Sequence, residues 1–327
     1  MNVVSLFNGM NTGRQALENV GIKVDKYYSS EIKPYAIELT QYHFPDTIQV
    51  GDVTKWREWD IDWKTIDLVL SGSPCQDLSA AGKRAGINGK KSSLFFVFVE
   101  ILEHIKSLNP KVLFLQENVG SASKLDVGIM SRALGVYPVR INSSLVTAQL
   151  RDRYYWSNIK TKETMFDIVT DIPQPKDRRI MFKDIITSGI TTEKKHKSLK
   201  ESSSRPPVSQ NSLKHRNETT GMITLIYENK TYQINPSKES KGIQPYIQNR
   251  IYDAKGKAPC LTKEKAHFLK YQNNTEIVRT VNKIEMCRLQ GFPDDYCDIL
   301  TTAKAGSLLG DGWTLPIIEH IFKYICI

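Results

Sequence analysis

Short apolar runs, each closed by small or charged residues and separated by helical stretches, dominate the first half of this chain. Val3-Val4-Ser5-Leu6-Phe7 comes first, followed by the glycine turn Asn8–Gly13 and a helical stretch from about Arg14 to Val20. A second strand, Val24–Ser29, leads to Glu31. Residues 34–44 read as helical, and Gln49-Val50 leads to Gly51-Asp52. Ile66–Leu70 is a strand closed by Ser71-Gly72-Ser73-Pro74. Residues 93–107 form an apolar helix, and Lys111–Leu115 is a further strand. Continuous rather than alternating apolar runs mark strands buried on both faces. With helices between them they predict an α/β fold: a doubly wound, mostly parallel sheet. Ligands of such sheets bind beyond the carboxyl ends of the strands. Gly9, Glu31, Asp52, Pro74-Cys75 and Glu117-Asn118 all fall there.

The second half reads differently. After about Met165 the alternation stops, and residues 187–222 are rich in Ser, Thr, Lys, Asn and Pro with no clear period. The expectation is a smaller, irregular or β-rich domain at 166–247. It would be flanked by the first part of a catalytic domain at 1–165 and a return to that domain at 248–327. Helices are expected at Asn282–Leu289 and Leu315–Ile327. The formal net charge of +10 is concentrated here: residues 151–327 carry 29 Lys and Arg against 20 Asp and Glu. A basic run is a solvated loop or a surface that meets phosphate backbone. No apolar run approaches the ~20 residues of a membrane span. The N-terminus has no basic leader pattern. Five cysteines without a C-x-x-C pair argue against disulfides or a four-cysteine metal site and for a reducing compartment. The scattered histidines show no metal spacing, so no metal is expected.

Four constellations carry chemistry. Phe7-Asn8-Gly9 through Gly13 follows a strand and precedes a helix, so its backbone can approach a ligand. Glu31, at the end of the second strand, suits ribose hydroxyls, and Asp52 suits an adenine amino group. In series they indicate an adenosine-bearing cofactor. Second, Cys75 follows a buried strand at a proline-fixed turn. The loop after it holds Gly82, Lys83, Arg84, Gly86, Gly89, Lys90 and Lys91, and could close over an anionic substrate. Third, Glu117 directly follows a buried strand. It is either a capping carboxylate or an acid that protonates a ring nitrogen. Fourth, strand spacing puts Gln149, Arg151 and Arg153 on one face, as an ion-paired edge or a clamp for a phosphate or base. Phe95, Phe96 and Phe98 read as helix core, and Tyr154-Tyr155-Trp156 as a packed strand. Cys260, Cys287, Cys297 and Cys326 read as packing residues or incidental surface thiols.

Taken in order, these motifs resemble the cytosine-C5 DNA methyltransferases. Pro74-Cys75-Gln76, Glu117-Asn118-Val119 and Gln149-x-Arg151-x-Arg153 are similar to that family's motifs IV, VI and VIII. Phe7-x-Gly9 resembles motif I, Arg288–Pro293 motif IX, and Gly310-Asp311-Gly312-Trp313 motif X. Arg250–Asp253 and Ala258–Thr262 resemble the segment that re-enters the catalytic domain. Details at Asn8–Gly13, Gly72–Ser79 and Arg153–Trp156 are closer to the animal de novo enzymes than to many bacterial ones. Gly9-Met10-Asn11-Thr12-Gly13 departs from the common bacterial pattern.

The resemblance implies a Rossmann-like class I methyltransferase fold using S-adenosylmethionine, with 166–247 as target recognition domain. By resemblance, Cys75 adds to C6 of a flipped-out cytosine and makes C5 nucleophilic. Glu117 serves N3, and its burial would favour the protonated form. Arg153 contacts the base or positions the thiol and carboxylate, and Arg151 supports it or holds phosphate. Phe7, Gly9, Gly13, Glu31, Ile32, Asp52, Val53, Ser73, Pro74, Asp311, Gly312 and Trp313 are expected around the cofactor. Gln76, Ser79, Lys83 and Arg84 are expected on double-stranded DNA. A monomer is the default and a dimer an alternative, in the cytoplasm with the nucleoid. The competing readings are a transfer-RNA cytosine methyltransferase, a silent DNA-binding relative and a dinucleotide oxidoreductase. The last leaves Pro74-Cys75 unexplained.

Overall fold

β1 (Asn2–Leu6), α1 (Thr12–Asn19), β2 (Lys26–Ser30), α2 (Pro34–His43) and β3 (Ile48–Gln49) open the chain in strict alternation. This is a computed structural model, and it describes residues 1–74, 94–185, 187, 251–252, 267–272 and 275–325. The chain continues with β4 (Leu68–Ser71), α3 (Leu94–Leu108), β5 (Leu113–Val119), α4 (Lys124–Leu134), β6 (Val139–Asn142) and β7 (Asp152–Ser157). A hairpin of β8 (Thr161–Glu163) and β9 (Ile168–Thr170) follows. Beyond it lie α5 (Phe182–Ile185), β10 (Ile251–Tyr252), β11 (His267–Gln272), β12 (Thr275–Thr280), α6 (Lys283–Gln290), α7 (Thr302–Asp311) and α8 (Leu315–Phe322).

Two compact units result. The first comprises Met1–Asn142, Asp152–Lys176 and Gly312–Ile327; the second comprises Ser143–Arg151 and Asp177–Asp311. The first unit is built on one seven-stranded sheet of order β3-β2-β1-β4-β5-β7-β6. β1 to β5 are mutually parallel, and β7 runs antiparallel to both its neighbours. The expected doubly wound, mostly parallel sheet is therefore present.

Periodicity explains the layers. On one sheet face Val4, Leu6, Val69, Phe114 and Trp156 meet Phe95, Phe98, Ile101, Leu102 and Ile105 of α3. Each such side chain contributes roughly 1.5–3 kcal/mol on burial. Phe96 is 37% exposed, so only two of the three phenylalanines are core. On the opposite face α1 packs with α8, and Asn19 Nδ2 donates to Glu319 Oε1 at 2.6 Å. Gly13 is needed here: a Cβ would lie 2.4 Å from Leu70 Cδ1. Tyr155 and Trp156 are buried in β7, as expected of a packed strand, while Tyr154 is half-buried.

In the second unit β10, β11 and β12 form a three-stranded sheet. α6 opens with a capping box, Asn282 accepting from Glu285 N–H while the Glu285 carboxylate accepts from Asn282 N–H. Glu285 also accepts from Thr187 N–H at 2.9 Å and is fully buried. Cys287 and Cys297 are free, buried packing residues; Cys260 and Cys326 lie outside the described residues.

Three expectations shift. β5 runs on to Val119, because it pairs with β7 from Leu115 to Val119, so Glu117 and Asn118 sit inside a strand rather than after one. The last helix stops at Phe322, not Ile327. Gln149, Arg151 and Arg153 do not share a strand face: β7 begins at Asp152, and Gln149 and Arg151 belong to the second unit. Ser143 N–H still donates to Arg151 C=O at 2.8 Å, one pair beyond the last ladder pair Asn142–Asp152, and the strand ends there. No helix among the described residues is long and apolar enough to cross a membrane.

Candidate active site

The carboxyl ends of β1, β2 and β4 carry the first group of residues. Between β1 and α1 the backbone turns through Phe7, Gly9 and Asn11, all at φ near +60°. Such φ values suit glycine and strain Phe7. Glu31, just past β2, is held by three backbone donors. Oε2 accepts from Gly9 N–H at 2.8 Å; Oε1 accepts from Ile32 N–H at 2.8 Å and Lys33 N–H at 2.9 Å. A carboxylate has about four acceptor positions, so one remains for a ligand hydroxyl. Asp52 lies past β3 and caps a short 3-10 turn through Thr54 N–H at 2.9 Å. That hydrogen bond holds its carboxyl below the usual carboxylate range. Ile32 stands 70% exposed beside Glu31, while Val53 is buried beside Asp52. Two oriented carboxylates with an exposed apolar side chain fit a nucleoside: hydroxyls to one, an amino group to the other, a base against the isoleucine.

The second group gathers between β4 and β5. Ser73 is buried, and its Oγ accepts from Gln116 Nε2 at 2.9 Å and Asn118 Nδ2 at 3.4 Å. Gln116 also donates to Glu117 C=O at 2.7 Å. The backbone leading through Pro74 toward Cys75 is thereby tied to the strand that carries Glu117. Cys75 itself, with Gln76, Ser79, Lys83 and Arg84, lies outside the described residues. Glu117 is buried on β5, and Arg153 on the neighbouring β7 reaches it: Nε lies 2.7 Å from Oε1. Trp313 completes the pair, donating its indole N–H to Glu117 Oε2 at 3.1 Å. Arg153 Nη1 also donates to Asp152 C=O at 2.8 Å, which fixes the fork.

The remaining candidates separate from this group. Arg151 is buried in the second unit and donates to Gly310 C=O at 3.1 Å; Gln149 donates there to Leu289 C=O at 3.0 Å. Both hold the segments resembling motifs IX and X. Asp311 ends α7 in the second unit, whereas Gly312 belongs to the first. Sequence reasoning missed the Gln116–Ser73 link. A lone glutamine directly after the apolar run Leu113–Leu115 was the available signal, since a buried amide demands a partner.

Residues 1–326 match the family model for C-5 cytosine-specific DNA methylases. The chain belongs to that family. It is 29% identical over 306 residues to the orphan methyltransferase M.SPRI of Bacillus phage SPR, covering 83% of this chain and 65% of that one. The type II methyltransferase M.HpaII of Haemophilus parainfluenzae is 26% identical, over 98% of this chain and 88% of its own. This chain thus spans 65% of the phage relative's length. Among solved structures, Entamoeba histolytica methyltransferase EhMeth superposes with a TM-score of 0.62 at 16% identity, covering 99% of this chain and 97% of its own. A Spodoptera frugiperda DNMT2 variant gives 0.59 at 16%, covering 99% of both chains. These two likenesses concern the fold.

Proposed function

We propose that this chain transfers a methyl group to C5 of cytosine in duplex DNA, with Cys75 as nucleophile. The observation that carries the reading is the buried Glu117, gripped by Arg153 and Trp313, on the strand tied through Gln116 to Ser73 and so to the segment entering Cys75. C5 of cytosine is too electron-poor to take a methyl group unaided. The Cys75 thiolate adds to C6, forming a C–S bond and leaving electron density on C5 and N3. Glu117, carrying a proton, donates it to N3 and so neutralises the charge that builds there. Arg153 keeps the carboxylate oriented. S-adenosylmethionine, when bound, supplies the electrophilic methyl group. Loss of the C5 proton to a base then expels the thiolate and restores the C5–C6 double bond.

Glu31 would hold the ribose hydroxyls of S-adenosylmethionine and Asp52 its adenine amino group. Ile32, Val53 and Phe7 would supply apolar walls, Gly9 and Gly13 a close backbone, and Ser73-Pro74 and Gly312 the rest of the pocket. Because a duplex buries the base, the target must be flipped out. Gln76, Ser79, Lys83 and Arg84 would contact the opened DNA, and residues 166–247 would read the target. The basic second half supplies sequence-independent affinity.

The test is methyl transfer from tritiated S-adenosylmethionine to duplex genomic DNA and, separately, to transfer RNA, with Cys75→Ser as control. A duplex containing 5-fluorocytosine should trap a denaturation-resistant adduct. Label in duplex DNA that Cys75→Ser abolishes is the expected result. Label in transfer RNA alone would move the substrate to RNA. No label and no adduct with either would refute the reading.

A further inference from the structure

The resemblance gives Trp313 to the cofactor pocket; in the structure its indole also reaches the candidate acid. Its indole N–H donates to Glu117 Oε2 at 3.1 Å, while Arg153 Nε lies 2.7 Å from Oε1. Each carboxylate oxygen therefore has its own donor, and the donors come from different elements: β7 and the residue before the segment into α8. A carboxylate held at both oxygens cannot swing about its last torsion, whereas one held at a single oxygen can. The same ring lies against Gly72, where a Cβ would come within 2.7 Å of Nε1 and 3.3 Å of Cε2. Gly72 lies three residues before Cys75. One indole thus touches both the strand end that leads to the thiol and the acid that must serve the same base.

We propose that Trp313 is a positioning residue for the cytosine chemistry: it fixes the Glu117 carboxylate against the β4 end through its indole N–H. The inference rests on the methyltransferase reading and deepens it. Trp313→Phe keeps an aromatic ring and removes the donor. At saturating S-adenosylmethionine, the single-turnover rate of methyl transfer should fall roughly ten- to a hundredfold, the worth of a hydrogen bond to a charged group. Affinity for S-adenosylhomocysteine, measured by calorimetry, should change little. Trp313→Met, which fills the ledge without a donor, should repeat the pattern and decides the matter if Trp313→Phe loses its cooperative melting. An unchanged single-turnover rate with weakened S-adenosylhomocysteine binding would overturn the inference and leave Trp313 a pocket wall. If the wild-type protein labels cytosine in neither DNA nor transfer RNA, the functional reading falls, and this inference with it.

Discussion

Gly72→Ala tests the packing around Glu117 from the strand side. An added Cβ would sit 2.7 Å from Trp313 Nε1, 3.3 Å from Cε2 and 3.4 Å from Cζ2. Ordinary contact begins near ~3.4 Å, so the indole must retreat by about 0.7 Å. The backbone of Gly72 continues directly from β4, which pairs with both β1 and β5, so the strand cannot yield instead. A retreat of that size is enough to take the 3.1 Å Trp313–Glu117 bond beyond hydrogen-bonding range. Overpacking costs about 1–3 kcal/mol, and the lost bond to a charged group about 1.5–3 kcal/mol more. The expected loss is therefore roughly 2.5–6 kcal/mol. Urea denaturation at constant m-value reads it, and the rate of adduct formation on a 5-fluorocytosine duplex reads its effect on the site. In a Gly72→Ala, Trp313→Phe double variant the losses should add to less than their sum, because both remove the same contact. A Gly72→Ala protein within about 0.5 kcal/mol of wild type and equally fast would refute the argument.

Two further outcomes follow from other parts of the fold. Glu285→Ala removes the capping box of α6 and the acceptor for Thr187, and should cost about 2–4 kcal/mol in chemical denaturation; a loss under ~0.5 kcal/mol would contradict the assigned role. Burial pushes the Tyr27 hydroxyl well above its ordinary value near ~10. Its neutral form is retained in the fold while the unfolded chain ionises, so its contribution is complete below pH ~10 and is lost as pH rises further, by up to ~1.4 kcal/mol per pH unit. In Tyr27→Phe, denaturation midpoints measured from pH 9 to 12 should fall less steeply than in the wild type; equal slopes would exclude Tyr27 as the source.

The sheet was legible because buried parallel strands write themselves as unbroken apolar runs, and β1, β2 and β4 lie close to where those runs fall. Glu117 and Arg153 were visible as motif residues, but not as partners. Their 2.7 Å contact depends on β7 returning antiparallel beside β5, which no local period records. Local alternation also misled: it put Gln149 and Arg151 on the strand with Arg153, whereas buried carbonyls of Leu289 and Gly310 hold them in the other unit. The Trp313–Glu117 bond joins residues 196 apart, and only the assembled fold brings them together.

The pairing of α1 with α8 imposes an order on synthesis. One face of the sheet is covered in part by α1 and in part by α8, joined at Asn19 and Glu319, 300 residues apart in the sequence. Leu315, Ile317, Ile318, Ile321 and Phe322 are all buried. A growing chain that has not yet released them leaves that face wet, and until Trp313 emerges Glu117 Oε2 lacks its indole donor. The first unit is therefore completed only once α8 has been made, and a chain interrupted anywhere in the second unit lacks both that helix and the Trp313 contact.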